Sequence, residues 1–178
     1  DQKFDKRRRY LETYNISSDS EYPFIINSIT EGLQLFEETF GYKSTSMIAP
    51  NYIWDDIIEK TVHENGVKYI QGGFVQRNTD VQKNKTNISL KFHYLGEINS
   101  RGQLYLTRNC LFEPSQNEKL NAEYCLNQVK KAFSVNKPAI ICTHRLNYIG
   151  GLEEKNRDYN LKQLSKILSE IIKAFPEV

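Results

Sequence analysis

The chain has 178 residues, of which 39% are apolar and 26% charged, and its formal net charge is +2. This length predicts a single domain, spanning 1–178, that can bury a core without disulfide or metal support. The small charge excludes nucleic acid as an expected partner, because the basic cluster at residues 6–9 is typical of a solvated terminus. No stretch has the length and apolar character of a membrane span, and no signal peptide is recognisable.

Cysteine usage bears on the cellular compartment. Cys110, Cys125 and Cys142 show no CxxC spacing. An odd number of irregularly spaced cysteines argues against a disulfide framework. The pattern therefore favours reduced thiols and a cytoplasmic location.

The first third of the chain alternates helical and extended patterns. Apolar residues between 23 and 40 recur with the period of an amphipathic helix, and Gly41 provides its end. Short strands are predicted at 44–48 and 67–70, on either side of a helix over 54–64. This order is typical of parallel strands joined by helices.

The middle of the chain predicts an inserted β-hairpin over 77–107. Residues 77–87 are polar and predict an exposed excursion. Residues 88–95 alternate between apolar and polar, as in a half-buried strand. A turn at 99–102 predicts that this strand pairs with a second one at 104–107.

The last third completes an α/β pattern. Apolar stripes predict helices over 122–133 and 161–175, and between them the continuous apolar run at 139–143 predicts a strand covered on both faces. Alternating helices and strands predict an α/β fold with a largely parallel sheet.

Four loops follow the carboxyl ends of predicted strands, at 49–54, 72–77, 108–114 and 143–150. Right-handed crossovers bring such loops to one rim, where α/β folds build their sites. Amide groups can bond sugar hydroxyls and flat rings can pack on sugar faces, so a carbohydrate is the predicted partner. The predicted substrate-binding residues are Asn51, Tyr52, Trp54, Asn109, Glu113 and Arg145.

The strand at 139–143 delivers His144 to this rim, where an imidazole could transfer protons near neutral pH. Structural alternatives stay open. His144 could cap its strand end on a backbone carbonyl, and Trp54 could pack in the core. Asn109 and Glu113 could bond the backbone of their own loop, and Arg145 could pair with an acidic neighbour.

The sequence predicts no metal ligand within this chain. His63, His93 and His144 are far apart and form no HxxH or HExxH pattern. His63 and His93 are expected at the surface. The pair Asp55-Asp56 suits a helix start better than a metal. Nucleotide-binding and α/β-hydrolase motifs are missing from the sequence.

Two segments, MIAPNYIWDD at 47–56 and IICTHRLNYIG at 140–150, resemble the polysaccharide deacetylase family, notably a divergent Bacteroidetes branch. The resemblance implies that the chain is the C-terminal part of an irregular (β/α) barrel of the glycoside hydrolase/deacetylase type. It also implies removal of acetyl groups from a carbohydrate by water that a divalent metal, often zinc, activates. Cys142-Thr143-His144 resembles the family's late strand end, which makes His144 the candidate general acid.

The resemblance is partial. Ile48 and Asn51 stand where the family has arginine and tyrosine, and the family's Asp-Asp and HxxxH metal ligands have no counterpart. The metal is therefore expected in the intact enzyme and not on this chain alone. A non-catalytic carbohydrate-binding or assembly module derived from such a barrel is the alternative. Four or five strands cannot close a barrel, so exposed sheet edges would favour a homo-oligomer.

Overall fold

The computed structural model describes the backbone of residues 12–82 and 85–177, and the side chains of these residues outside 80–88. The basic cluster at 6–9 lies outside this part of the chain. The protein divides into two compact units, Asp1–Thr107 and Arg108–Val178, and each is described by itself. None of the described helices combines the length and hydropathy needed to cross a bilayer.

The first unit is built on a parallel sheet. Its elements in chain order are α1 (Tyr22–Phe40), β1 (Ser46–Ile48), α2 (Asp56–Glu64), β2 (Tyr69–Gly72), β3 (Val75–Gln82), β4 (Lys85–Phe92) and β5 (Leu104–Thr107). Strands β1, β2 and β5 pair in parallel in the order β1-β2-β5. Ile70 is the central residue of this register and lies between Met47 and Tyr105. The predicted parallel strands and their helical crossover are confirmed.

The predicted strand pairing of the hairpin is wrong. The antiparallel partner of β4 is β3, with Val75 opposite Phe92, whereas β5 adds to the parallel sheet beside β2. The polar sequence of β3 gave no apolar alternation by which to predict a strand. On its partner β4, Leu90 and Phe92 are exposed, so this ribbon does not depend on a buried apolar face there. The predicted turn at 99–102 exists, with Gly102 N–H donating to the Asn99 carbonyl at 3.0 Å, but it leads into β5.

Helix ends in the first unit follow from local chemistry. Helix α1 stops at Gly41, whose φ of 75° is the left-handed conformation that glycine adopts without strain. Helix α2 starts at Asp55, whose carboxylate accepts from the Ile58 N–H at 3.0 Å. Both helices bury apolar residues in one core together with Ile70 and Trp54.

The second unit contains β6 (Cys110–Leu111), α3 (Ala122–Ser134), β7 (Ile141–Cys142) and α4 (Glu154–Ala174). Strands β6 and β7 pair in parallel, and the two helices pack around Phe112, Cys125 and Ile167. All three cysteines are buried, and none of them is in a disulfide. Within the described ranges the strands form parallel sheets of three and two strands and the antiparallel ribbon of β3 and β4, and no closed barrel.

Candidate active site

The parallel pairing of β6 with β7 brings Glu113 and His144 together. Leu111 lies opposite Cys142, and the Phe112 N–H donates to the Cys142 carbonyl at 2.9 Å. Glu113 and His144 each follow this pair by two residues. Since side chains two apart on extended chain project to the same side, both reach the carboxyl end of the strands on one face.

His144 and Glu113 form a hydrogen-bonded pair of unequal exposure. His144 Nδ1 lies 2.5 Å from Glu113 Oε1, and the two side chains are 54% and 5% exposed. An ionised carboxylate only accepts, so Nδ1–H donates and Nε2 remains the free ring nitrogen. The alternative in which His144 caps its strand on a backbone carbonyl is therefore wrong. A buried carboxylate behind an accessible imidazole is suited to proton transfer.

Asn147, which sequence reasoning missed, holds this pair in place. It is fully buried, and its Nδ2 donates to Glu113 Oε2 at 2.9 Å and to Thr143 Oγ1 at 3.1 Å. Its Oδ1 accepts from the Ser115 N–H at 3.0 Å. A short 3-10 turn over Arg145–Asn147 returns the side chain to the strand end. The signal that could have identified it is this three-residue spacing from His144.

Glu113, Cys142 and His144 each offer a metal-ligand atom, and these atoms lie within 4.8 Å of one another. Both Glu113 oxygens already accept hydrogen bonds from protein. The Arg108 guanidinium lies 3.3 Å from Cys142 Sγ, where its positive charge would repel a cation. These three residues therefore do not fit the divalent metal that the family resemblance implies.

The other candidates of the second unit divide into a structural residue and an exposed one. Asn109 Oδ1 accepts from the Ile140 N–H at 2.8 Å and its Nδ2 donates to the Pro138 carbonyl at 3.0 Å. Asn109 thus ties β6 to the chain entering β7, so its role is structural but its backbone partners lie outside its own loop. Arg145 is exposed and has no ion pair within the described ranges, so its guanidinium is available next to His144.

In the first unit the loops 49–54 and 72–77 do meet, as predicted. The backbone N–H of Trp54 donates to the Arg77 carbonyl at 3.2 Å. A Cβ on Gly73 would lie 3.1 Å from Tyr52 Cε2, so the Tyr52 ring packs directly on this glycine. Asn51 is exposed and adopts a left-handed φ of 51°, which asparagine tolerates better than most residues.

Trp54 is a core residue and not a sugar platform. It is 1% exposed, and its indole N–H donates to the buried Glu59 carboxylate at 3.2 Å. The prediction that its ring faces a substrate is corrected by this burial. The same carboxylate accepts from Tyr105 OH at 2.7 Å and from Asn99 Nδ2 at 2.9 Å. Burial and this carboxylate raise the pKa of the Tyr105 hydroxyl far above its usual range.

His93 is buried, contrary to its predicted exposure. Its side chain is 8% exposed and its ring stacks on Tyr105 with centroids 3.9 Å apart. Nδ1 faces Glu97 Oε2 at 3.0 Å and Nε2 faces Gln76 Oε1 at 2.7 Å. Gln76 Nε2 donates to the Trp54 carbonyl at 2.7 Å, which fixes the amide orientation. Both ring nitrogens of His93 thus have hydrogen-bond partners within the first unit.

The remaining charged candidates of the first unit are structural. Asp55 is the cap of α2, as the helix-start interpretation predicted. Asp56 bonds Arg101 at 2.8 Å, and this bond holds the pKa of its carboxyl below the usual value. His63 is exposed, as predicted.

A family model described as glycosyl hydrolase family 57 matches residues 18–106. The match lies within the first unit and ends before Glu113 and His144. No curated protein and no solved structure matches the chain. The roles of the residues in the second unit therefore depend on their geometry and chemistry.

Proposed function

The chain belongs to glycosyl hydrolase family 57, and we propose from this premise that His144 and Glu113 transfer protons in the hydrolysis of a carbohydrate substrate. Membership makes the chain carbohydrate-active and hydrolase-like in kind. The family is not the polysaccharide deacetylase family that residues 47–56 and 140–150 resemble. Which bond is hydrolysed therefore depends on the chemistry of the site.

The proposed reaction is removal of an acetyl group from a sugar. Water adds to the acetyl carbonyl carbon, and the carbon–oxygen or carbon–nitrogen bond to the sugar then breaks. His144 Nε2 donates its proton to the departing sugar oxygen or nitrogen, and the proton lost by the water restores the imidazolium. Glu113 accepts from Nδ1–H, which orients the ring and stabilises its positive charge.

The observation that carries this proposal is the 2.5 Å contact between a half-exposed imidazole and a buried carboxylate. A divalent metal, where the intact enzyme has one, would supply activation of water. The residues of this site do not fit such a metal, so no step is assigned to it here. Asn147 positions Glu113 through its 2.9 Å hydrogen bond, and the exposed Arg145 is proposed to contact the substrate.

Hydrolysis of a glycosidic bond is the second candidate, and the family match favours it. That reaction ordinarily uses two carboxylic groups flanking the bond. Glu113 is 4% exposed, and both its oxygens bond protein side chains. Its carboxylate is therefore poorly placed to attack a sugar or to activate water itself, and this favours acetyl removal.

The two reactions can be separated in one experiment on the full-length protein. Acetate release and new reducing ends would both be measured on the N-acetylglucosamine tetramer and on acetylated xylan. We expect acetate release that falls at least about 100-fold in His144→Ala, whereas His63→Ala, which changes an exposed histidine, keeps the wild-type rate.

Equal rates in the wild type and His144→Ala would remove His144 from the mechanism. Reducing ends without acetate would identify glycoside hydrolysis instead. Sugar binding without either product would support the non-catalytic binding module.

A further inference from the structure

The second unit has a cleft of about 270 Å³ beside the histidine–glutamate pair. One wall is the chain that follows Glu113, and the other is the start of α4. The lining of the cleft includes Ser115, Gln116, Glu118, Asn156, Tyr159 and Asn160.

Two hydrogen bonds connect this cleft to the proposed catalytic pair. The Ser115 N–H donates to Asn147 Oδ1 at 3.0 Å, and Asn147 Nδ2 donates to Glu113 Oε2 at 2.9 Å. The cleft and the imidazole are thus connected through one buried asparagine and the Glu113 carboxylate. Pro114 and Ser115, which line the cleft, directly follow Glu113 in the chain.

One residue that lines the cleft, Asn160, has a buried polar atom without a partner among the described residues. Asn160 is 1% exposed, and its Nδ2 donates to Ser115 Oγ and to Asn156 Oδ1, both at 2.9 Å. Its Oδ1 is buried and has no hydrogen-bond partner within the described part of the chain. A buried acceptor left unpaired is costly, so a hydroxyl or water donor that reached this oxygen from the cleft would stabilise the site.

The lining identifies the class of that ligand. Amides and a hydroxyl dominate it, Glu118 is the single charged residue among those that line it, and the Tyr159 ring is 52% exposed. Such a surface can bond several hydroxyls while an aromatic ring packs on the face of a pyranose. The volume is below the range of about 300–1,000 Å³ that drug-sized ligands occupy, which suits a single sugar unit.

We propose that this cleft binds a second sugar unit of the carbohydrate whose acetylated unit lies at His144. The proposal depends on the proposed function for the identity of the reacting unit. It makes the substrate an oligosaccharide or polysaccharide, with the Ser115–Asn160 cleft selecting for chain length.

Binding to the full-length His144→Ala protein tests the cleft independently of catalysis. Calorimetry would compare the N-acetylglucosamine tetramer with its monomer, and maltotetraose with glucose. We expect one tetramer to bind at least tenfold more tightly than its monomer. The double change Gln116→Ala and Tyr159→Ala removes two exposed side chains and should abolish that advantage. Tyr124→Ala, an exposed tyrosine of α3 outside the cleft, should keep it.

The cleft proposal is overturned if no tetramer binds more tightly than its monomer, or if the double variant binds as tightly as Tyr124→Ala. Either outcome would mean that only water satisfies Asn160. A wild-type protein that releases no acetate, yet shows tetramer binding dependent on Tyr159, would contradict the proposed reaction and leave the second sugar site standing.

Discussion

Each unit of the protein contains a histidine hydrogen-bonded to a glutamate, and the two pairs differ in how much of the ring is engaged. His93 in the first unit bonds Glu97 through Nδ1 and Gln76 through Nε2, and its side chain is 8% exposed. His144 in the second unit bonds Glu113 through Nδ1, and its side chain is 54% exposed. One ring is saturated with partners, whereas the other keeps a free nitrogen.

This difference shows what separates a structural histidine from a candidate catalytic one. Both pairs satisfy a titratable ring with a carboxylate, so a carboxylate partner alone does not identify a site. The His93 ring has no nitrogen left for a ligand and is covered by Tyr105. The second unit reverses the arrangement, because it buries the carboxylate and exposes the imidazole.

The largest expected effect is on folding, from His93→Ala. The change leaves Glu97 and Gln76 without their ring partner and opens a cavity against Tyr105, which should cost about 3 kcal/mol of unfolding free energy. The single tryptophan of the sequence, Trp54, lies in the core of the first unit and reports its unfolding by fluorescence. His144→Ala, which removes an exposed ring, should leave that transition unchanged. A similar loss of unfolding free energy in both variants would contradict the proposed difference between the two histidine–glutamate pairs.

The next effect is on catalysis, from Glu113→Gln. The amide oxygen can still accept from Nδ1–H, but the negative charge that stabilises the imidazolium is lost. We expect acetate release to fall about 100-fold with little change in binding of the substrate. Glu97→Gln, the matching change in the first unit, should leave acetate release at the wild-type rate. A Glu113→Gln variant with full activity would mean that the pair only stabilises the fold.

The sequence predicts much of this arrangement because parts of it are local. The helical period and Gly41 define α1, and Asp55 defines the start of α2. The placement of Glu113 and His144 in loops after parallel strands also followed from topology, since such loops share one edge. Which strand pairs with which is not determined by the local sequence, however. The alternation of apolar and polar residues at 88–95 is compatible with pairing either to the preceding strand β3 or to the following strand β5. It also predicts that His93 lies on the exposed face of a strand, whereas β4 ends at Phe92, one residue before His93.

Alkaline pH should weaken the second unit through its buried thiols. Burial raises the pKa of Cys110 to about 11 and of Cys125 to about 12. Between the ordinary thiol value and these values the unfolded chain releases protons that the folded chain retains. Stability is therefore complete below about pH 8.5 and falls as pH rises towards 12, by at most about 1.4 kcal/mol per pH unit for each thiol.

Hydrogen exchange of the α3 amides measures this loss of stability. It would be recorded between pH 8 and 10.5 and corrected for the intrinsic exchange rate. Cys125→Ala should show a shallower decline than the wild type, whatever its stability at neutral pH. Parallel declines in the two proteins would show that this thiol does not carry the pH dependence.

The smallest effect is on the stability of the first unit, from a change at Gly73, on which the Tyr52 ring packs. It tests whether the first unit is packed as tightly at this loop as it is around His93 and Glu59. An added Cβ at Gly73 would lie 3.1 Å from Tyr52 Cε2, so Gly73→Ala forces the ring to shift and should cost about 1 kcal/mol. Gly32→Ala places the same methyl group on α1 with no atom within 4 Å and should stabilise the helix by a similar amount. Trp54 fluorescence during urea unfolding measures both changes. If Gly73→Ala is as stable as the wild type, the loop that carries Tyr52 can move without disturbing the core. A Tyr52 ring with that freedom would be able to turn towards a sugar, as the sequence predicts for a substrate-binding residue.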